Sequence, residues 1–207
     1  TNGTAYIFRV RAQNSEGYSP YSTQSASVTP RTVPDAPTGI SATYGNGQAS
    51  LSWTAPVVDG GSVLTDYVVQ YSSNSGTSWL TFTDGVSTVA STTVTGLTNG
   101  TAYIFRVRAQ NAAGLSTPSS SSSSVTPRTT PGAPTSLTGT RADNSVTLSW
   151  LAPSNNGGAS ITDYAVEYSS NSGTSWTVFA DGTSSLTSTT VTGLTNGTAY
   201  IFRVRAQ

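Results

Sequence analysis

The stretch TTVTGLTNGTAYIFRVRAQNAAGLS at residues 92–116 decides the fold. In its second half, apolar and polar residues alternate. Tyr103 and Phe105 share one face of an extended strand, whereas Arg106 and Arg108 share the other. Thr-Asn-Gly-Thr before the strand is typical of a tight turn, and Ala-Ala-Gly after it predicts a second one. The stretch therefore predicts a half-buried β-strand held between two turns.

Part of this stretch, TNGTAYIFRVRAQ, occurs three times in the chain. The copies occupy residues 1–13, 98–110 and 195–207, a spacing of 97 residues each time. The segments 31–110 and 128–207 align without gaps and are identical at 51 of 80 positions. The chain is therefore built from one module of about 97 residues.

The other apolar segments of the module also alternate with a period of two. ASLSWTAP at 49–56 places Leu51 and Trp53 on one face, and DYVVQY at 66–71 places Tyr67 inward. Glycine-rich turns separate the segments, and no helical period is present. The sequence predicts an all-β fold with tandem seven-stranded antiparallel β-sandwiches. Among the inward residues we expect six large aromatic side chains in the cores: Trp53, Tyr67, Phe105, Trp150, Tyr164 and Phe202.

These motifs together resemble the fibronectin type III family of immunoglobulin-like sandwiches. The resemblance rests on PDAPTGI at 34–40, LSWTAP at 51–56, DYVVQYS at 66–72 and the opening stretch. It implies a tyrosine corner, in which a tyrosine hydroxyl closes a turn by bonding to the backbone near an upstream leucine. The two pairs that match this pattern are Tyr103 with Leu97 and Tyr200 with Leu194.

The repeat predicts three parts of unequal completeness. Residues 1–30 would supply the last two strands of one module, 31–127 a complete module, and 128–207 a module without its last strand. Two interpretations fit these limits: a piece of a longer tandem array, or a subunit completed by a strand from its neighbour. We expect the array, because the leading segment carries a sixth strand that a donor would not need.

Composition excludes several classes of function. The chain has no cysteine or histidine, so disulfides, thiol nucleophiles and Ser-His-Asp triads are ruled out. The formal net charge is zero and no arginine cluster resembles a nucleic-acid-binding patch. No apolar run approaches the length needed to span a membrane. We expect no enzyme activity, no cofactor and no nucleic-acid partner.

Four aromatic residues outside the predicted core strands are candidate carbohydrate contacts, because an exposed ring can stack on a sugar: Trp79, Trp176, Tyr18 and Tyr21. The alternative interpretation is that the tryptophans cover an edge of the sandwich and that the tyrosines are ordinary loop residues. The turns at Asp59 and Asp84 supply too few carboxylates for calcium.

Three further polar motifs have structural and functional interpretations. Asn-Gly-Thr at Asn2, Asn99 and Asn196 fits an N-glycosylation pattern, but a tight turn favours Asn-Gly as well. The hexaserine at 119–124 aligns with 22–27 and is predicted to be a polar edge strand, with O-glycosylation as the alternative. Glu167 should lie close to Arg203 or Arg205 on the neighbouring strand.

The expected function is mechanical. Prolines recur at the module junctions, at 30, 34 and 37 and again at 127, 131 and 134, and limit bending there. About a third of the residues are Ser or Thr, and lysine is absent, which is typical of bacterial surface arrays. We expect a spacer repeat of a large extracellular adhesin, fibre or filament. Its expected partners are neighbouring modules, with surface glycans or other cell-surface proteins as further candidates. The alternatives are an accessory module of a secreted carbohydrate-active enzyme and a virion-surface module that adheres to carbohydrate.

Overall fold

The computed structural model describes all 207 residues, Thr1–Gln207, and its secondary structure consists of β-strands and turns. The all-β prediction is therefore confirmed. None of the chain forms a helix that is long and apolar enough to cross a membrane. The residues fall into two compact units, of which the first comprises 1–44, 48–95 and 102–125, and the second comprises 45–47, 96–101 and 126–207.

Nine short and medium strands form the first two parts of the chain. A hairpin of β1 (Gln13–Asn14) and β2 (Gly17–Tyr18) lies in the leading segment. The following module contains β3 (Thr38–Gly45), β4 (Gln48–Thr54), β5 (Leu64–Ser72), β6 (Leu80–Thr81), β7 (Ser91–Thr95), β8 (Ile104–Asn111) and β9 (Gly114–Leu115). Its two sheets have the strand orders β3-β4-β7 and β6-β5-β8-β9.

The last part of the chain repeats this arrangement with six strands. They are β10 (Thr135–Ala142), β11 (Ser145–Leu151), β12 (Tyr164–Ser169), β13 (Thr177–Phe179), β14 (Ser188–Thr192) and β15 (Ile201–Ala206). The sheet orders are β10-β11-β14 and β13-β12-β15, which match those of the preceding module except that β9 has no counterpart.

The inward faces of the strands form the cores, as their alternation predicts. In β8, buried and half-buried residues alternate without interruption. The rings of Trp53 and Tyr67 meet edge to face with centroids 5.2 Å apart, and those of Trp150 and Tyr164 at 5.3 Å. Phe105 has no exposed surface. Each such side chain contributes roughly 1.5–3 kcal/mol when buried, so the aromatic residues hold the two sheets of each module together.

The burial of the repeated strand depends on what covers it. Phe105 is fully buried, Phe202 is half-buried at the margin of its core, and Phe8 is 60% exposed. The three residues occupy identical sequence contexts. The difference therefore comes from the neighbouring segments and not from the strand itself.

The hexaserine does not form the regular edge strand that the alignment predicts. After β9 the chain runs beside β8, but it advances three residues for every two residues of β8. The backbone amides of Ser116, Ser119 and Ser122 donate to the carbonyls of Ala109, Val107 and Phe105 at 2.8 Å each. We call this segment the serine ladder; a single bridge between Tyr103 and Val125 ends it.

Candidate interaction sites

The turn between β5 and β6 positions Trp79, and the matching turn between β12 and β13 positions Trp176. The Ser72 hydroxyl accepts a hydrogen bond from the amide of Gly76 at 2.9 Å, and Asn74 Oδ1 accepts one from Ser78 at 3.0 Å. Ser75 and Gly76 both have positive φ, which reverses the chain direction in two residues. The same network recurs around Ser169 and Asn171. The turn thus returns a tryptophan to the outer face of the sheet.

Trp79 lies on the outer face, beside an arginine of the repeated strand. The Arg106 guanidinium carbon lies 4.2 Å from the centroid of the Trp79 ring, within the range of a cation–π interaction. Arg106 Nε also donates to Gln70 Oε1 at 2.8 Å. A Cβ at Gly76 would meet the ring at 3.4 Å, which is ordinary van der Waals contact, so the indole packs against this turn. Trp79 is half-buried in this arrangement.

Trp176 has the same arrangement, with a charged partner in place of the glutamine. The Arg203 guanidinium lies 4.1 Å from the Trp176 ring centroid, and Arg203 Nε donates to Glu167 Oε2 at 2.6 Å. The ion pair is the one that the sequence predicted. The Arg203 hydrogen bond lowers the pKa of the Glu167 carboxyl below its ordinary value.

Tyr18 and Tyr21 also stack on arginines. Arg9 lies 3.7 Å from the Tyr21 centroid, and Arg11 lies 3.8 Å from the Tyr18 centroid and 5.0 Å from that of Tyr21. The rings and guanidinium groups therefore alternate along the surface of the leading segment. Both tyrosines remain substantially exposed.

The four candidate carbohydrate contacts thus share a feature that sequence reasoning missed. Each ring has an arginine over one of its faces, and three of the four arginines come from the same repeated segment position, the first arginine of FRVR. Stacking on a sugar requires an uncovered ring face. The structure therefore assigns one face of each ring to intramolecular packing, and carbohydrate binding by these residues stays a prediction.

The tyrosines of the two predicted corners, Tyr103 and Tyr200, directly precede β8 and β15. The Tyr200 hydroxyl accepts a hydrogen bond from the amide of Thr195 at 3.2 Å, next to Leu194. Leu194, Leu97 and Tyr103 are buried. The Tyr103 ring packs edge to face against Tyr71, with centroids 6.0 Å apart.

The asparagine of the glycosylation pattern has a structural role in the turn. Asn99 Oδ1 accepts from the amide of Gly47 at 2.8 Å, and Asn99 Nδ2 donates to Asn46 Oδ1 at 2.8 Å. Asn196 makes the equivalent contacts with Asn144 and Asp143. The side-chain amide therefore ties the turn to the β3–β4 hairpin in one module and to the β10–β11 hairpin in the next.

The turn at Asp59, whose carboxylates are too few for calcium, contains the contacts of an ordinary turn. Asp59 Oδ1 accepts the amide of Gly61 at 2.8 Å, which is the hydrogen bond of an Asx turn. Nowhere in the chain do three or more Asp, Glu, His or Cys side chains meet in a group that could hold a metal ion.

A buried asparagine was also missed by the sequence reasoning. Asn111 Nδ2 donates to the carbonyl of Thr32 at 2.8 Å and to that of Asp59 at 2.7 Å, and Oδ1 accepts from the amide of Ala113 at 2.8 Å. Asn111 is 3% exposed. It fastens the linker at Thr32 to the loop at Asp59. Its only signal in the sequence is its position directly after the repeated FRVRAQ.

Comparison with known proteins identifies one family for both parts of the chain that the family model matches. The family model described as "Fibronectin type III domain" matches residues 35–126 and 132–207. Human myomesin-2 is 31% identical over 215 residues, covering 100% of this chain and 15% of that protein. The chicken striated-muscle M-protein is 32% identical over 213 residues, covering 99% of this chain and 15% of that protein. The chain therefore spans a small part of the length of the relatives it matches.

Among solved structures, domains A168–A170 of titin are similar to the chain. The sequence identity is 34%, the match covers 59% of this chain and 40% of that one, and the TM-score is 0.47. The curated relatives reported above are animal muscle proteins. The bacterial origin expected from composition consequently has no support among them.

Proposed function

Because the chain belongs to the fibronectin type III family, we propose that it is a non-catalytic spacer, a set of tandem modules that holds other parts of a long protein at a defined separation. The proposal is carried by one observation, the hydrogen bonding of each linker to the module that follows it. The backbone amide of Thr32 donates to the carbonyl of Gly60 at 2.9 Å, and that of Thr129 donates to the carbonyl of Gly157 at 2.8 Å. A linker held in this way has little freedom to bend.

A second hydrogen bond reinforces each linker. The backbone amide of Asp35 donates to the Val58 carbonyl at 3.0 Å, and that of Gly132 donates to the Asn155 carbonyl at 2.8 Å. Pro37 is fully buried, so it also anchors the first linker by packing. Proline restricts the backbone further, since its ring fixes φ. Together these contacts favour a semi-rigid array of modules over a flexible chain.

We place this spacer at the cell surface or in the extracellular space, as part of an adhesin, fibre or filament. The support is compositional: lysine and cysteine are absent and Ser and Thr are abundant. The muscle relatives favour a second setting, a scaffold inside a contractile cell. No contact or relative reported above favours an accessory module of a carbohydrate-active enzyme or a virion module. Fractionating the native source with an antibody against residues 31–127 distinguishes the two settings.

Solution scattering tests the spacer function. Chains lengthened by successive 97-residue copies should gain a constant increment of maximum dimension, about 30–40 Å, since a nine-residue strand such as β5 is about 30 Å long. The control is a chain whose residues 30–36 and 127–133 are replaced by Gly-Ser of equal length. Increments that shrink with length in the parent, as they do for a flexible chain, would contradict the proposal.

A further inference from the structure

A glycine pair recurs in the loop that receives the linker in each module. In the first case the pair is Gly60–Gly61, and in the second Gly157–Gly158; all four have positive φ between 74° and 85°. The second glycine of each pair is held by an Asx turn, because its amide donates to Asp59 Oδ1 at 2.8 Å or to Asn156 Oδ1 at 3.0 Å. The loop therefore presents bare backbone in a fixed conformation.

In the first compact unit this backbone lies against the leading Asn-Gly turn. A Cβ on Gly61 would collide with the amide nitrogen of Gly3 and with Asn2, and a Cβ on Gly3 would meet the Cα of Gly61 at 3.1 Å. Both partners belong to the first unit. Two backbones thus approach so closely that neither glycine can carry a side chain without a shift.

The same contact recurs in the second compact unit, 97 residues further on. A Cβ on Gly158 would collide with the amide nitrogen of Gly100 and with Asn99, and a Cβ on Gly100 would meet the Cα of Gly158 at 3.2 Å. These residues all belong to the second unit. The recurrence of the same atom pairs shows that the approach is a property of the repeat.

We propose that the Asn-Gly turn and the Gly-Gly loop are the two halves of a self-recognition contact, in which the loop of one module binds the turn of the module before it. The partner of the surface is another copy of the same module. The third copy of the turn, Thr195–Thr198, has the same sequence, and its Gly197 has open space around it. It therefore provides the same surface for the Gly-Gly loop of a further copy.

The first glycine of each pair couples this contact to the linker. A Cβ on Gly60 would collide with the carbonyl of Thr32, and a Cβ on Gly157 with that of Thr129. One glycine thus packs on the linker and the next packs on the preceding turn. Because the nearest contacting atoms are backbone and the glycines carry no side chains, the contact orders no glycine side chain and costs no side-chain entropy there. This inference rests on the proposed spacer function and identifies the surface that would hold successive modules together.

Distance measurements between two spin labels test the contact in the complete chain. The chain contains no cysteine, so Ser50→Cys and Thr147→Cys, both at exposed positions, place one label in each of two modules. Gly158→Ala should broaden or shift the distance distribution. Its control is Gly182→Ala, where φ is 79° against 85° and no atom lies within 4 Å of the added Cβ. Both variants carry the same backbone strain, but only Gly158→Ala removes the contact.

A second pair of variants tests the contact through the glycine of the Asn-Gly turn. Gly100→Ala should broaden the distribution, whereas Gly197→Ala, in the same Thr-Asn-Gly-Thr sequence at nearly the same φ, should leave it unchanged. Tryptophan fluorescence and circular dichroism establish that each variant is folded. A narrow distribution that neither Gly158→Ala nor Gly100→Ala alters overturns the contact while the spacer function stands. Equal changes in the variants and their controls also overturn it, since strain would then be the cause. A broad distribution in the parent chain argues against the spacer function itself.

Discussion

Replacing a buried serine of the ladder should destabilise its module far more than replacing an exposed serine of the same segment. The Ser119 hydroxyl accepts a hydrogen bond from the buried amide of Val107 at 3.0 Å and donates to the carbonyl of Ser120 at 2.8 Å. In Ser119→Ala the Val107 amide loses this acceptor, and water cannot replace it because Ser119 and Val107 are both buried. An unsatisfied buried donor costs about 1–3 kcal/mol.

Two measurements can detect the loss of this hydrogen bond. Urea unfolding of the complete chain should show a lower midpoint, and amide hydrogen exchange should show that Val107 exchanges faster by about 5- to 150-fold, the factor that corresponds to about 1–3 kcal/mol. Ser121→Ala is the matched control. It is exposed, lies on the same segment and changes the same chemical group. Equal effects of Ser119→Ala and Ser121→Ala would refute the role assigned to the ladder.

Three other perturbations have defined outcomes. Asn111→Ala removes a buried side-chain amide that donates to the carbonyl of Thr32, so the urea midpoint should fall by an amount that corresponds to about 1–3 kcal/mol; no change in midpoint would contradict the role of the side chain. Burial raises the pKa of Tyr67, so its contribution to stability is complete below about pH 10, the ordinary tyrosine value, and is lost as the pH rises through the higher folded value. Urea midpoints at pH 9–11 should therefore fall more steeply in the parent than in Tyr67→Phe, and parallel curves would count against this. Since the folded pKa of Glu167 is lowered, its contribution is present above the unfolded value of about 4.3 and is lost as the pH falls through the folded value. In an NMR titration, Arg203→Gln should return the Glu167 midpoint towards its ordinary value, and an unmoved midpoint would exclude the hydrogen bond as the cause.

The cores could be predicted from sequence because their signal is local. Alternation along a strand depends only on neighbours in the chain, so it assigned Trp53, Tyr67 and Phe105 to the inside. The burial of Phe202 and Phe8 could not be predicted in the same way. It depends on which segments cover the strand, and the repeated sequence is identical in all three copies.

The surface contacts were missed because they join residues far apart in the chain. Alternation places Arg106 on the outer face, but it does not indicate that a turn brings Trp79 back over the same strand. The sequence likewise does not indicate the close approach of Gly61 and Gly3, since each glycine alone indicates only a turn. The serine ladder has a local signal with a period of three. In the hexaserine that period is hidden because serine occupies every position of the run.

The three-to-two geometry of the serine ladder also has a consequence for protein engineering, because different residues maintain the fold and form the surface. One residue in three supplies the hydrogen bonds to β8, while Ser120, Ser121, Ser123 and Ser124 are exposed. The leading segment has the same bonds from Ser19, Ser22 and Ser25, with proline, tyrosine and glutamine among the positions between them. The exposed positions between the bonding serines could therefore be substituted to give each module a different epitope, charge or attachment site, while all the modules keep the same backbone hydrogen bonds.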